Sequence, residues 1–160
     1  MSRKRRKAPR GVVDTSVVIA GAAAFRGSPL HPETDSGRLL LQWTEEGHFQ
    51  WLYTDEILDE YKEILKRCNV RSATIGAFIN LLREEGLEVS VRKTSAVSPD
   101  PGDDPVCACA KAGNASFIVT LNPRDFPQSK IEAKIVGPAD DLPSAPAMAA
   151  RSNKTRSKSR

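Results

Sequence analysis

Three cysteines and two histidines are all that this 160-residue chain offers a soft or borderline metal. The cysteine count is odd and has no framework spacing, which argues against a secreted disulfide fold. Cys107 and Cys109 fall in a small-residue stretch, and no histidine or further cysteine completes a tetrahedral set with them. Zinc is therefore disfavoured, and buried packing is the ordinary role for such thiols. His31 and His48 lack any motif context for a general base. Aromatics are few, and Trp43, Trp51 and Tyr53 read as core or crevice wall rather than as a base-stacking platform. No apolar run approaches the roughly 18–20 residues of a membrane span. The basic start continues only into residues 17–25, too short and interrupted by Gly21 for a persuasive export signal. A cytoplasmic chain with no membrane partner is expected. Gly-x-x-x-x-Gly-Lys, Gly-x-Gly-x-x-Gly and Gly-x-Ser-x-Gly are missing too, so P-loop hydrolysis, dinucleotide redox chemistry and serine hydrolysis have no support.

Acid is lacking at both ends. Of the 24 basic residues, six fall in residues 1–10, five in 151–160 and 13 between, where all 20 acids lie. The net charge of +4 thus divides into an acidic body of −7 and two basic ends. Such ends either grip nucleic-acid phosphates through charge or only solubilise the chain. The last ten residues contain nothing apolar to bury and are expected to be disordered. Residues 1–10 are read as a basic arm, 11–138 as one domain and 139–160 as a basic tail.

What is present alternates between strand and helix. A strand near residues 11–14 leads to a helix from about Val17. A second helix is expected over 34–46 and a strand over 49–53. Thr54 or Asp55 then caps a helix whose apolar positions are Ile57, Leu58, Tyr61, Ile64, Leu65 and Cys68. A helix over 72–85 is stopped by Gly86. A strand at 87–91, a small-residue helix at 103–112, a buried strand at 117–120 and a last strand at 131–136 complete the series. Alternation with long crossovers implies a three-layer α/β/α sandwich with a central parallel sheet. Apolar faces on the second and fourth helices suit either a homodimer or burial within the monomer.

In such a sheet, sites gather at the carboxyl ends of the strands. Asp14 ends the first strand, where it is either a helix cap or a crevice carboxylate. Glu60 is picked out by helical angle. At ~100° per residue the apolar stripe centres ~40° from Ile57, and Glu60 lies about 100° from that centre. Glu56, Asp59 and Glu63 lie further toward solvent, so Glu60 occupies the shoulder of the buried face. It can look into a crevice there or simply meet Lys62 and Lys66. Asp100, Asp103 and Asp104 crowd one turn, where a single cap needs one acid. Like charges that close call for compensation, and a hard divalent ion with oxygen ligands, magnesium or manganese, supplies it. Thr120, Asn122 and Asp125 follow the buried strand at the same sheet end, able to orient a water or a carboxylate, or to form a bare turn.

Four stretches in order resemble the PIN-domain family: Val12-Val13-Asp14-Thr15-Ser16, Glu56-Ile57-Leu58-Asp59-Glu60-Tyr61, Asp100-Pro101-Gly102-Asp103-Asp104 and Phe117 to Pro127. The resemblance spans residues 11–138 and is greatest to the branch described as toxin components of toxin–antitoxin systems. It implies a metal-dependent ribonuclease with RNA as substrate and an antitoxin protein as partner. It also implies that Asp14, Glu60 and Asp103 or Asp104 hold Mg²⁺ or Mn²⁺, with Asn122 or Asp125 holding a coordinated water. Two positions depart from the pattern: Asn122 replaces an acid usual after the strand's Thr, and Ser16 replaces an Asn. The Asn122 departure keeps open a non-catalytic module of the same fold that binds RNA or protein. A phosphatase-like use of Asp14 as nucleophile is weaker, since no second Asp lies two residues on.

Overall fold

The computed structural model of the chain describes residues 8–26, 34–91 and 104–143. Five short strands build its centre: β1 (Arg10–Val13), β2 (Gln50–Tyr53), β3 (Leu87–Glu88), β4 (Phe117–Val119) and β5 (Lys134–Val136). All pair in parallel, in the order β3-β2-β1-β4-β5. Val12, Val13, Trp51, Leu52, Phe117, Ile118 and Val119 are all buried, as inner strands must be when helices cover both faces. Gly11 faces Phe117 across the β1–β4 ladder, and a Cβ there would lie 2.2 Å from the Phe117 ring. Only glycine lets the two inner strands carry that ring between them.

The helices follow from apolar stripes and caps. They are α1 (Thr15–Ala20), α2 (Asp35–Glu46), α3 (Asp55–Arg67), α4 (Ser72–Glu85) and α5 (Asp104–Ala112), with a 3₁₀ turn at Ala22–Phe25. The Thr34 hydroxyl accepts from the Gly37 N–H at 2.9 Å and the Thr54 hydroxyl from the Ile57 N–H at 3.1 Å, so both caps satisfy a first-turn donor. Gly47, at φ 57°, ends α2 in the left-handed conformation. The chain steps from β1 to β2 to β3, then returns past β1 to β4. Right-handed crossovers put the helices of these two courses on opposite faces. α1 packs on α2 and α3, and α3 on α4, while α5 packs on β1, β2 and β4 and also meets α3.

The expected sandwich is present, with differences at the element ends. Arg10, assigned to the basic arm from charge alone, is the first residue of β1 and donates a side-chain hydrogen bond to the Gly113 carbonyl at 3.2 Å. The strand expected at 87–91 pairs only over Leu87–Glu88, because β3 is an edge whose ladder with β2 ends at Tyr53–Glu88. The last strand begins at Lys134 rather than 131. Upstream of it the Gln128 amide does a strand's work, donating to the Ile131 and Ala133 carbonyls and accepting from the Ile135 N–H.

The few aromatics are concentrated. Trp43, Phe49, Trp51, Tyr61, Phe78 and Phe117 form one connected cluster, with centroids 5.0 Å apart for Trp43–Trp51 and 5.4 Å for Phe49–Phe117. Phe49 and Trp51 stack and the other pairs meet edge-on, geometries that add to the burial of large apolar surfaces. The apolar faces of α2 and α4 bury Leu39, Leu40, Trp43, Phe78, Ile79 and Leu82 in the same core. Among the described residues, no helix is long and apolar enough to cross a membrane.

Candidate active site

Strand order reverses between β1 and β4, and at such a point the loops diverge and open a crevice at the strands' carboxyl ends. Val13 pairs with Val119, so the next residues, Asp14 and Thr120, leave the sheet side by side. Their main chains are held by ladder bonds, Asp14 N–H to Val119 O and Thr120 N–H to Val136 O, both 2.9 Å. Each is only 2% exposed. They are the first two components of a site.

Asp14 occupies the N-cap position of α1, yet its side chain makes no capping bond. Only its carbonyl serves the helix, accepting from the Val17 N–H at 3.0 Å. The carboxylate is held from elsewhere. Asp14 Oδ2 accepts from the Ser16 hydroxyl at 2.6 Å and from the Thr120 hydroxyl at 2.8 Å. Those hydroxyls accept in turn, Ser16 from the Leu121 N–H at 3.1 Å and Thr120 from the Asn122 N–H at 2.9 Å. A hydroxyl has one proton, and with a backbone donor behind it that proton is directed at the carboxylate. Two main-chain amides are thereby relayed onto a single oxygen. Among the described residues, Oδ1 meets only the Thr15 hydroxyl, at a long 3.5 Å.

Glu60 lies where its helical angle predicts. It is half-buried on α3, while Glu56, Asp59 and Glu63 are exposed. Its neighbour Tyr61 is fully buried and donates its hydroxyl to the Val13 carbonyl, the residue just before Asp14. Burial holds the Tyr61 phenol well above its ordinary value; the Trp51 N–H opposes this, and Cys109, Asp14 and Glu60 add to the rise. Through its hydroxyl Tyr61 joins α3 to the end of β1, a contact that periodicity concealed within an apolar stripe.

The downstream acids are described only in part. Asp100 and Asp103 lie outside the described residues, as do residues 1–7 and 144–160 of the basic ends. Asp104 begins α5, and its side chain is likewise outside the description. Asn122 is exposed and reaches the site through its main-chain N–H, which holds Thr120. Asp125 closes the 3₁₀ turn Pro123–Asp125, half-buried, its N–H on the Asn122 carbonyl at 3.0 Å. The sequence marks Ser16 only as a departure from the family pattern and not as the residue that holds Asp14. An Asp-x-Ser at a helix start reads as ordinary capping chemistry, and its cross-strand bond to Leu121 depends on tertiary structure.

A model of the PIN domain matches residues 10–124. The chain belongs to the PIN-domain family. The match begins at the first residue of β1 and takes in Asp14, Ser16, Glu60, Tyr61, Thr120 and Asn122, while Asp125 lies one residue beyond it. PIN domains are generally nucleases and typically use divalent metals, so the fold here is of nuclease type. No curated protein matches the chain.

The PIN domain's donors can be tested against such an ion. Among the described residues no three His, Cys, Asp or Glu side chains form a metal-binding group, so the pair Asp14 and Glu60 would need a third acid. Both are oxygen donors, with Oδ1 of Asp14 only loosely engaged, which suits a hard cation. The thiols do not compete. Cys107 and Cys109 are buried, and burial pushes the Cys109 thiol up to about 12, which keeps it protonated at neutral pH.

Proposed function

We propose that this PIN domain is a Mg²⁺- or Mn²⁺-dependent endoribonuclease whose centre is Asp14. The observation that carries the reading is the state of Asp14: buried at the strand-order reversal, relieved of capping, and bonded through one oxygen by two relayed hydroxyls. A cap needs none of this, whereas a carboxylate that must present its other oxygen in a fixed direction does. Asp14 Oδ1, Glu60 and Asp103 or Asp104 would hold the ion. When bound, the ion lowers the pKa of a water and stabilises negative charge on the attacked phosphate. Ser16 and Thr120 keep the Asp14 carboxylate in one rotamer, and Asn122 or Asp125 orients the water. The substrate strand is held by the basic ends, since an acidic crevice alone repels RNA.

The choice of RNA and a toxin role with an antitoxin partner rest on resemblance to the toxin branch, and a cytoplasmic location on composition and cysteine usage; the apolar faces of α2 and α4, which suited a second copy, are buried within the monomer. A non-catalytic reading of the same fold is favoured by one observation: Asn122 is exposed and contributes a main-chain N–H where an acid is usual. Cleavage of labelled single-stranded RNA with and without Mn²⁺ separates the two. Wild type should cleave only with Mn²⁺, and Asp14→Asn and Asp103→Asn should not. Cleavage that survives both substitutions would sink this site; RNA binding without cleavage under any metal would establish the non-catalytic module.

A further inference from the structure

The β1–β2 ladder and the β1–β4 ladder end at different heights. Pairing with β2 runs from Arg10–Gln50 to Gly11–Trp51 and stops, whereas pairing with β4 continues through Val12–Ile118 to Val13–Val119. On its β2 side the last residue of β1 therefore has no strand partner. Tyr61 reaches into that gap from α3 and donates its hydroxyl to the Val13 carbonyl. The phenol oxygen is itself held by the Trp51 indole N–H at 3.3 Å. Trp51, the last β2 residue in register with β1, thus passes its bond onward through Tyr61, and the chain Trp51 to Tyr61 to Val13 takes the place of the missing rung. All three groups are buried, so no water substitutes for any of them without opening the core.

The tie joins two particular elements. One bond beyond Val13 along the chain is Asp14, and one residue before Tyr61 is Glu60. These are the two acids that the proposed centre draws from the described residues. A core tyrosine serving packing alone would only need some acceptor for its hydroxyl. This one takes the carbonyl that sets where β1 ends, on the helix that carries the second acid.

We infer that Tyr61 is a positioning residue that fixes the spacing of Asp14 and Glu60, and so the affinity of the centre for its divalent ion. This rests on the reading of the site as a metal centre. Removing the hydroxyl keeps both acids in the chain but frees the strand end from the helix, so their spacing is no longer fixed. The loss falls on metal affinity, while contacts with RNA away from the acids are unchanged.

The test is Tyr61→Phe in the full chain. Mn²⁺ affinity is read without RNA, from the electron paramagnetic resonance signal of unbound Mn²⁺, and with RNA, from the Mn²⁺ concentration giving half-maximal cleavage. Both should weaken ~10-fold, the scale on which supports behind metal ligands act, with KM for RNA at saturating Mn²⁺ unchanged. Leu65→Ala, a fully buried change one turn further along the same helix, should lower thermal stability and leave Mn²⁺ affinity alone. If Tyr61→Phe matches wild type in Mn²⁺ affinity, or Leu65→Ala weakens it equally, the positioning role is overturned while the nuclease reading stands. A wild-type chain that neither binds Mn²⁺ nor cleaves removes both. Should Tyr61→Phe fail to fold, Trp51→Phe removes the indole donor and keeps a ring. A severalfold weakening is then expected, and unchanged affinity overturns the inference.

Discussion

The ends of β1 and β4 lie side by side at the strand-order reversal and do opposite jobs. β1 ends in a carboxylate, Asp14, that is buried and makes no cap. β4 ends in a buried hydroxyl, Thr120, followed by an exposed turn that gives the site two main-chain N–H groups. One strand end supplies charge and the other supplies direction. A carboxylate with four lone-pair sites can face many ways; two fixed donors on Oδ2 leave it few. The lesson is that an acid at a strand end is readable as functional from its neighbours' hydrogen bonds. Its own position, shared with any helix cap, does not distinguish the two roles.

The largest effect should come from taking the charge away. Asp14→Asn keeps shape and removes the anion, so metal-dependent RNA cleavage should fall by more than the ~10–100-fold that loss of a supporting residue costs. Because Asp14 caps nothing with its side chain, the helix should survive, and far-ultraviolet circular dichroism should match wild type. A large loss of helicity would restore the capping role and dissolve the contrast between the two strand ends.

Removing direction should cost less. Thr120→Val is close in shape but deletes a donor to Asp14, itself only 2% exposed, and the acceptor of the Asn122 N–H. Cleavage should drop ~10-fold, and unfolding in urea should show a loss of about 1–3 kcal/mol from the donor withdrawn from the buried Asp14 carboxylate. Ser16→Ala acts on the same oxygen from a half-exposed position and should do less. The double variant should show non-additive losses, as expected when two donors serve one acceptor. Strict additivity would mean that the hydroxyls do not act jointly on Asp14.

Much of this was legible beforehand, and the boundary is physical. The helix at Ser72–Glu85 was readable residue for residue, because its apolar stripe and Gly86 are local signals. The Glu60 shoulder was readable because helical angle is local as well. Asp14 and Thr120 could be placed at one sheet end, since alternation implies a parallel sheet. What stayed hidden depends on contacts far apart in the chain. Ser16 meets Leu121 across 105 residues and Tyr61 meets Val13 across 48. Within a stripe, a tyrosine whose hydroxyl holds a strand looks the same as one that fills space. The late start of β5 was hidden for a related reason, since a glutamine side chain standing in for a strand has no periodicity.

A true cap provides a control for the comparison. Thr54, unlike Asp14, caps its helix with its side chain. Thr54→Ala should therefore cost about 1 kcal/mol of stability in urea titration and leave cleavage at saturating metal near wild type. Asp14→Asn should do the reverse. If both variants lose stability and activity together, the division between structural cap and functional acid fails.

The smallest change should be a gain. Asn122→Asp places an acid on the turn after β4, next to the N–H that already holds Thr120. Since that N–H is main-chain, the substitution leaves the hydroxyl relay to Asp14 intact. Asn122 is also exposed, so the new charge has little burial to overcome. Mn²⁺ should bind somewhat more tightly and cleavage at limiting Mn²⁺ should rise severalfold, with less change at saturation. If cleavage instead appears only in this variant, the natural turn marks a non-catalytic domain. If neither binding nor cleavage moves, the turn after β4 serves direction alone, and the site's charge comes wholly from the acids on its other elements.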